Sequence, residues 1–346
     1  MKTKTIATGS VDHWLQRLSS QAEVLVPTRN AAGDVVLAPR RGPAEMSFRR
    51  LHESPKRVLL PQTDDLVDFE GGKARAKMDR TQRVLFALRP CDCQAIAALD
   101  AVFGRDVADP HYKARRERMG LIVVACRESE DTCFCAATGS GPVARDGFDV
   151  QLVPAGDVYL VVIGSETGRQ LVEAGGELFA EGPDDVLETI ETCRRRAMET
   201  QPARPDLHRA QKLLGQVAPE FWQKLADACL TCGGCAYVCP TCTCYNIADR
   251  PVAEHTGVRQ RLWDSCVLEG FFREASGHNP YGAQSSRCLR RYVHKLGGSD
   301  VSGQSFRCVG CGRCIAACIS GLGMIRVVQE LLESEVSRTT APKVAP

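Results

Sequence analysis

Cysteine is the residue whose number and spacing point most directly to chemistry in this chain. There are 18 cysteines in 346 residues, and a thiolate is a soft metal ligand. One pattern occurs twice: Cys229-Leu-Thr-Cys232-Gly-Gly-Cys235-Ala-Tyr-Val-Cys239-Pro240, and Cys308-Val-Gly-Cys311-Gly-Arg-Cys314-Ile-Ala-Ala-Cys318. Three thiols with two residues between neighbours, then a fourth after three more residues, is the bacterial arrangement for [4Fe–4S] clusters. Two intervening residues let a tight loop set three thiolates on three corners of a cubane. Gly233, Gly234, Gly310 and Gly312 supply the backbone freedom such a wrap demands. The fourth cysteine, expected to begin a helical turn, ligates the other cluster in two-cluster proteins. One cluster is therefore assigned Cys229, Cys232, Cys235 and Cys318; the other takes Cys308, Cys311, Cys314 and Cys239. Structural zinc is the rival, but zinc sites use separated Cys-x-x-Cys pairs rather than three ligands in one run. Ile319 stands where proline commonly follows the last ligand; the ligand itself is retained.

A second constellation lies earlier. Cys91 follows the apolar run Val84–Leu88 and opens a helix over Asp92–Phe103, and Cys126 ends the run Leu121–Ala125. If those runs are parallel neighbours, both thiols emerge at one carboxyl edge, where α/β folds place their sites. Cys133 and Cys135 follow on the loop just beyond. Four converging thiols would hold a third [4Fe–4S] cluster; buried cysteines also serve as small hydrophobes, so both readings stand. Cys93 competes with Cys91, which sits nearer the strand end.

The elements that must position these thiols change character along the chain. Residues 1–205 read as an α/β domain, with strand-like runs at Val24–Pro27, Val35–Leu37, Val58–Leu60, Val84–Leu88, Leu121–Ala125 and Val158–Ile163. A helix is expected over Asp184–Thr200, and Gln201–Asp206 reads as a linker. Residues 206–336 read as an all-α, ferredoxin-like dicluster domain, with amphipathic stretches at Leu207–Ala228 and Met324–Leu332. The tail Ser337–Pro346 reads as disordered.

Bulk properties exclude several roles. Lys+Arg 44 against Asp+Glu 42 is no basic excess for nucleic acid or an acidic membrane surface. The apolar runs are strand-length, so no membrane span is expected. The start MKTKTIATGSVDHWLQRL has no apolar h-region, which predicts a cytoplasmic chain whose thiols stay reduced. No G-x-G-x-x-G after a strand and no Walker A sequence is present, so no nucleotide site is evident. No residues are arranged for acid–base or nucleophilic catalysis.

The residues together resemble the anaerobic sulfite reductase and sulfhydrogenase beta subunit family. The likeness rests on Arg89-Pro90-Cys91-Asp92, on Cys126 with Cys133-Phe134-Cys135, and on Gly139-x-Gly141-Pro142. It continues through Asp157-x-Tyr159-Leu160, Gly164-Ser165-Glu166, Trp263-Asp264-Ser265-Cys266, Gly277-His278-Asn279-Pro280 and the two cysteine runs. It covers about Val58 to Leu332. The resemblance implies an iron–sulfur electron-transfer subunit of a cytoplasmic anaerobic complex, with a third cluster in the first domain. It implies two kinds of partner. One binds flavin and NAD(P); the other is a catalytic subunit of hydrogenase, sulfite reductase or heterodisulfide-reductase type.

Six cysteines remain: Cys93, Cys193, Cys242, Cys244, Cys266 and Cys288. They read as buried thiols beside the clusters, with Cys193 incidental. His278 reads as a solvated loop residue. Arg287, Arg290, Arg291 and Lys295 read as a solvated helix face, with a docking surface as the sharper alternative. Two other functions compete with the relay: an enzyme reducing substrate at the N-terminal cluster, and a non-redox module stapled by metal.

Overall fold

The computed structural model describes residues 3–183, 186–202, 204–297 and 305–334. Its strands are β1 (Lys4–Ala7), β2 (Glu23–Arg29), β3 (Val35–Pro39), β4 (Thr63–Glu70), β5 (Lys73–Ala76) and β6 (Arg83–Leu88). They continue as β7 (Met119–Val124), β8 (Val150–Ala155), β9 (Val158–Ile163), β10 (Phe179–Glu181), β11 (Tyr245–Ala253) and β12 (Thr256–Trp263). Eight form one sheet in the order β10-β1-β9-β8-β7-β6-β2-β3. Its centre, β2-β6-β7-β8, is parallel and its flanks are antiparallel. The central strands are apolar on both faces because both are covered. Ile96, Leu99 and Phe103 of the helix Pro90–Phe103 pack on one face with Leu85, Leu121 and Val123. Trp14, Leu15 and Leu18 pack on the other with Phe86, Ile122 and Leu152.

Where β6 meets β7 the register shifts between Leu85 and Leu88, and Ala87 takes a left-handed φ of 58°. Such a bulge re-aims the residues that follow it. Here those are Arg89, with extended backbone, and Pro90, which starts the helix carrying Cys91.

The C-terminal part is not all-α. β11 and β12 form a hairpin that joins β4 and β5 in a four-stranded antiparallel sheet. This sheet pairs residues from both sides of the expected boundary at 205, because β12 lies directly against β4. The hairpin escaped a periodicity reading because it is solvent-facing: β11 is almost entirely exposed and carries charged residues. Asp64 on β4 accepts from Arg115 at 2.9 Å and from Arg261 of β12 at 2.7 Å, all three buried.

Two other expectations change. Val58–Leu60 is not a strand: the short helix Lys56–Leu59 takes most of it, following Pro55. Leu207–Ala228 is two helices, Leu207–Leu213 and Pro219–Ala228, because a proline cannot continue a helix but can start one. The helix expected over Asp184–Thr200 is observed as Leu187–Glu199. Met324–Glu333 is helical as the pattern requires. The tail Ser337–Pro346 lies outside the described residues. The C-terminal helices share a core that includes Trp222, Leu225, Tyr292, Leu296 and Val328, and Phe134 from the first sheet's loop is inserted into it.

Candidate metal centre

Cys229, Cys232, Cys235 and Cys318 line one cavity, with Cys288, Arg291 and Tyr292 as neighbours. Gly233, at φ 74°, leads into the turn Gly234–Tyr237, which carries Cys235. Gly234 already lies in that turn and needs no left-handed backbone. The third thiol of each run, not the fourth as expected, occupies the helical turn: Cys235, and Cys314 in Arg313–Ala316. Cys239 and Cys318 follow the turns, which frees each to reach across to the other run. Cys232 is exposed. On the rim, Leu230 is 61% and Ile319 81% exposed.

The second set is brought together around Cys239, which is an electrostatic neighbour of Cys308, Cys311 and Cys314. Its loop contains Gly310 (φ 58°) and Gly312 (φ 74°). A side chain is forbidden there by packing as well as by dihedral. A Cβ on Gly310 would come within 2.6 Å of Cys135 backbone, and one on Gly312 would overlap the Thr132 carbonyl.

Cys91, Cys126, Cys133 and Cys135 line a further cavity with Arg50 and Arg89. The parallel pairing of β6 and β7 puts Cys91 and Cys126 at one carboxyl edge, as expected from the sequence. Cys93 points elsewhere, with its Sγ 3.5 Å from the Asp146 carbonyl. The third loop lies against the second: Phe134 N–H donates to Gly310 O at 2.9 Å, and Ser140 Oγ to Val309 O at 2.6 Å. Arg50 donates to Cys311 O at 2.6 Å, and Cys91, Cys135, Val309 and Cys311 share one buried cluster. Arg313 and Asp92, both buried, pair at 2.7 Å across the same seam.

Burial pushes most of these thiols up. Cys126 reaches about 12, and Cys91 and Cys135 stand well above the ordinary range. The same holds in direction for Cys235, Cys308, Cys311 and Cys314. Metal must therefore displace their protons on binding. Cys229 and Cys239 are lowered instead, Cys229 to about 6, because Cys288 and Cys242 respectively donate hydrogen bonds to them. Cys244 is lowered to about 7 by the same device from Cys266. Cys242, Cys244, Cys266 and Cys288 thus sit beside the run cysteines or one another. Cys193 is buried, its Sγ 3.5 Å from Cys126 O. His278 is in an exposed loop. Among the described residues, no three His, Cys, Asp or Glu side chains gather as tightly as a single ion needs.

The basic run is not a solvated face. Arg287, Arg291 and Lys295 are buried along the helix Gln284–Leu296. Their i, i+4, i+8 spacing puts them on one helix face, and the packing of that helix turns the face inward. Lys295 Nζ donates to Thr241 Oγ1 at 2.8 Å, and Arg291 Nε has no hydrogen-bond partner among the described residues. Neither has a carboxylate partner among the described residues. Arg291 faces Cys235, Cys314 and Cys242; Lys295 faces Cys239, Cys242 and Cys308, and those charges hold it above its ordinary value against burial. Buried cations without counterions are costly. A thiolate-ligated cluster, net negative, is the group that would satisfy them, so the residues fit it. Lys56 is a further buried cation here, bonded to Cys242 O at 3.1 Å and held 3.9 Å above the Trp263 ring.

No helix among the described residues is long and apolar enough to cross a membrane. The family model of a 4Fe-4S dicluster domain matches residues 228–322, the stretch holding both cysteine runs. Sulfhydrogenase 2 subunit beta of Pyrococcus furiosus is 30% identical over 291 residues, covering 83% of this chain and 85% of that protein. The likeness therefore runs through the first sheet as well as the dicluster region, and the chain belongs to the sulfhydrogenase beta subunit family.

Proposed function

We propose that the chain is a three-cluster electron-transfer subunit of a larger oxidoreductase. Cys229, Cys232, Cys235 and Cys318 would hold one [4Fe–4S] cluster, Cys239, Cys308, Cys311 and Cys314 the second, and Cys91, Cys126, Cys133 and Cys135 the third. Such clusters supply one-electron transfer when bound. The observation that carries this reading is the contact between loops: Gly310 and Gly312 let the second set's loop close onto the backbone of Thr132–Cys135. Three thiol sets in contact succession suit a relay better than isolated staples. The chain's residues supply ligands, backbone N–H groups and buried cations, all of which set potential.

The partners in this reading are a catalytic redox subunit and one of flavin- and NAD(P)-binding type. Exposure of Cys232 beside Leu230 and Ile319 supports a docking contact at the first site, since exposed apolar residues around a redox centre suit a partner's surface. The test is anaerobic purification with iron and sulfide analysis and EPR after dithionite reduction. About 12 irons per chain with interacting signals is expected for three cubanes. About 8 would remove the third cluster, and zinc without a reducible signal would overturn the relay.

A further inference from the structure

Beside the third thiol set lies a cleft of about 1140 Å³ that the relay leaves unused. It opens at the carboxyl ends of the parallel strands, bordered by Arg29 of β2, Val124 of β7 and Pro154 of β8. This is the edge where open α/β sheets bind ligands, and the volume suits a molecule of nucleotide size rather than a lone ion. Arg49, Arg50, Arg89 and Glu128 border both this cleft and the cavity of Cys91, Cys126, Cys133 and Cys135, so the two spaces are contiguous.

Guanidinium groups are concentrated on the wall of this cleft. Glu128 is engaged by Arg49 at 3.0 Å. Arg50, Arg89 and Arg127 have no carboxylate partner among the described residues, and the acids Asp34, Glu130 and Asp157 have no Arg or Lys partner there. Arg89 is 7% exposed. It donates to the Val124 and Phe48 carbonyls and lies 4.2 Å over the Phe48 ring, an arrangement that fixes its guanidinium without neutralising it. Guanidinia held in this way suit phosphate, which they bind through paired N–H groups. Val35, Met46 and Tyr159 add an apolar and aromatic wall.

We propose that this cleft binds a phosphate-bearing nucleotide, its phosphates taken by Arg50, Arg89 and Arg127 and its ring system by the apolar wall. The binding itself is independent of the relay. Only its consequence, electron exchange beside the third cluster, rests on that reading.

The full-length chain, purified anaerobically, would be titrated with FMN by fluorescence and with NADPH and ADP by calorimetry. Saturable one-site binding of at least one, with Kd at or below about 100 μM, is expected. Arg127→Glu and Arg89→Gln should each weaken it about tenfold or more. Arg127→Glu, an exposed change, should keep the iron content of the parent. No saturable binding of any of the three up to about 1 mM overturns the site, as does an affinity in both variants equal to the parent's. Binding with about 8 irons per chain would keep the site and remove the third cluster; about 12 irons without binding would do the reverse.

Discussion

At the scale of residues, the buried cations of the helix Gln284–Leu296 matter as much as the thiols. Among the described residues Lys295 and Arg291 have no carboxylate to neutralise them, and the neighbouring His294 adds no charge: burial and adjacent cations lower it to about 3. A positive charge near a cluster favours the reduced state, which is one electron more negative. Lys295→Met should therefore make the nearer cluster harder to reduce. At an effective dielectric near 20 and a separation of ~8 Å, one charge is worth about 2 kcal/mol, or about 90 mV for one electron. An EPR-monitored redox titration of the variant, with iron content unchanged, checks this. A potential that does not move would show that Lys295 serves packing alone.

At the scale of elements, the loops are held by fits that admit no side chain. Gly312→Ala must leave the left-handed region or push Thr132 aside, so we expect a loss of about 1–3 kcal/mol or more. Iron content should fall with it. Gly9→Ala, where a Cβ meets nothing within 4 Å, should change neither iron nor melting temperature and serves as the control.

The four-stranded sheet depends on Asp64. Burial alone would raise this carboxyl, but hydrogen bonds and charge from Arg115 and Arg261 outweigh it and hold it below its ordinary value of 3.8. A depressed carboxylate stabilises the fold above its unfolded value, and that contribution is lost as pH falls through the folded one. Asp64→Asn should therefore lower the melting temperature at neutral pH, by about 3–5 kcal/mol of stability. The gap between variant and parent should narrow below about pH 4. A gap that stays constant down to about pH 2 would contradict the assignment.

At the scale of the whole molecule, the two halves are tied where their thiol loops meet. Arg313, from the second cysteine run, bonds Asp92, in the first turn of the helix after β6, and also reaches Leu51 O at 3.1 Å. Phe134 adds an apolar anchor by entering the C-terminal core. Asp92→Asn would leave a buried guanidinium unpaired, at a cost of about 3–5 kcal/mol. Asp92→Asn with Arg313→Met should recover part of that loss in thermal unfolding, because the double variant buries no lone charge. Recovery without return of cluster content would separate the structural tie from any effect on the thiol sites.

What the sequence by itself determined is local. The two cysteine runs and their glycines encode their own loops, so the eight ligand candidates of the dicluster were legible without a fold. The helices at Pro90–Phe103 and Met324–Glu333 and the central strands β2, β6 and β7 were legible too, because apolar runs and periodicity set them, whereas β8 was not. Tertiary structure decided what depends on distant pairing. Whether Cys91 or Cys93 joins Cys126 turns on the bulge at Ala87 and the parallel register of β6 with β7. The polar hairpin β11–β12 became a sheet only by finding β4. Arg287, Arg291 and Lys295 look like a solvated face in one dimension, and are buried because the helix that carries them packs against thiol-bearing loops. Spacing along a chain specifies a ligand set that one loop can wrap; only packing specifies which charges face it.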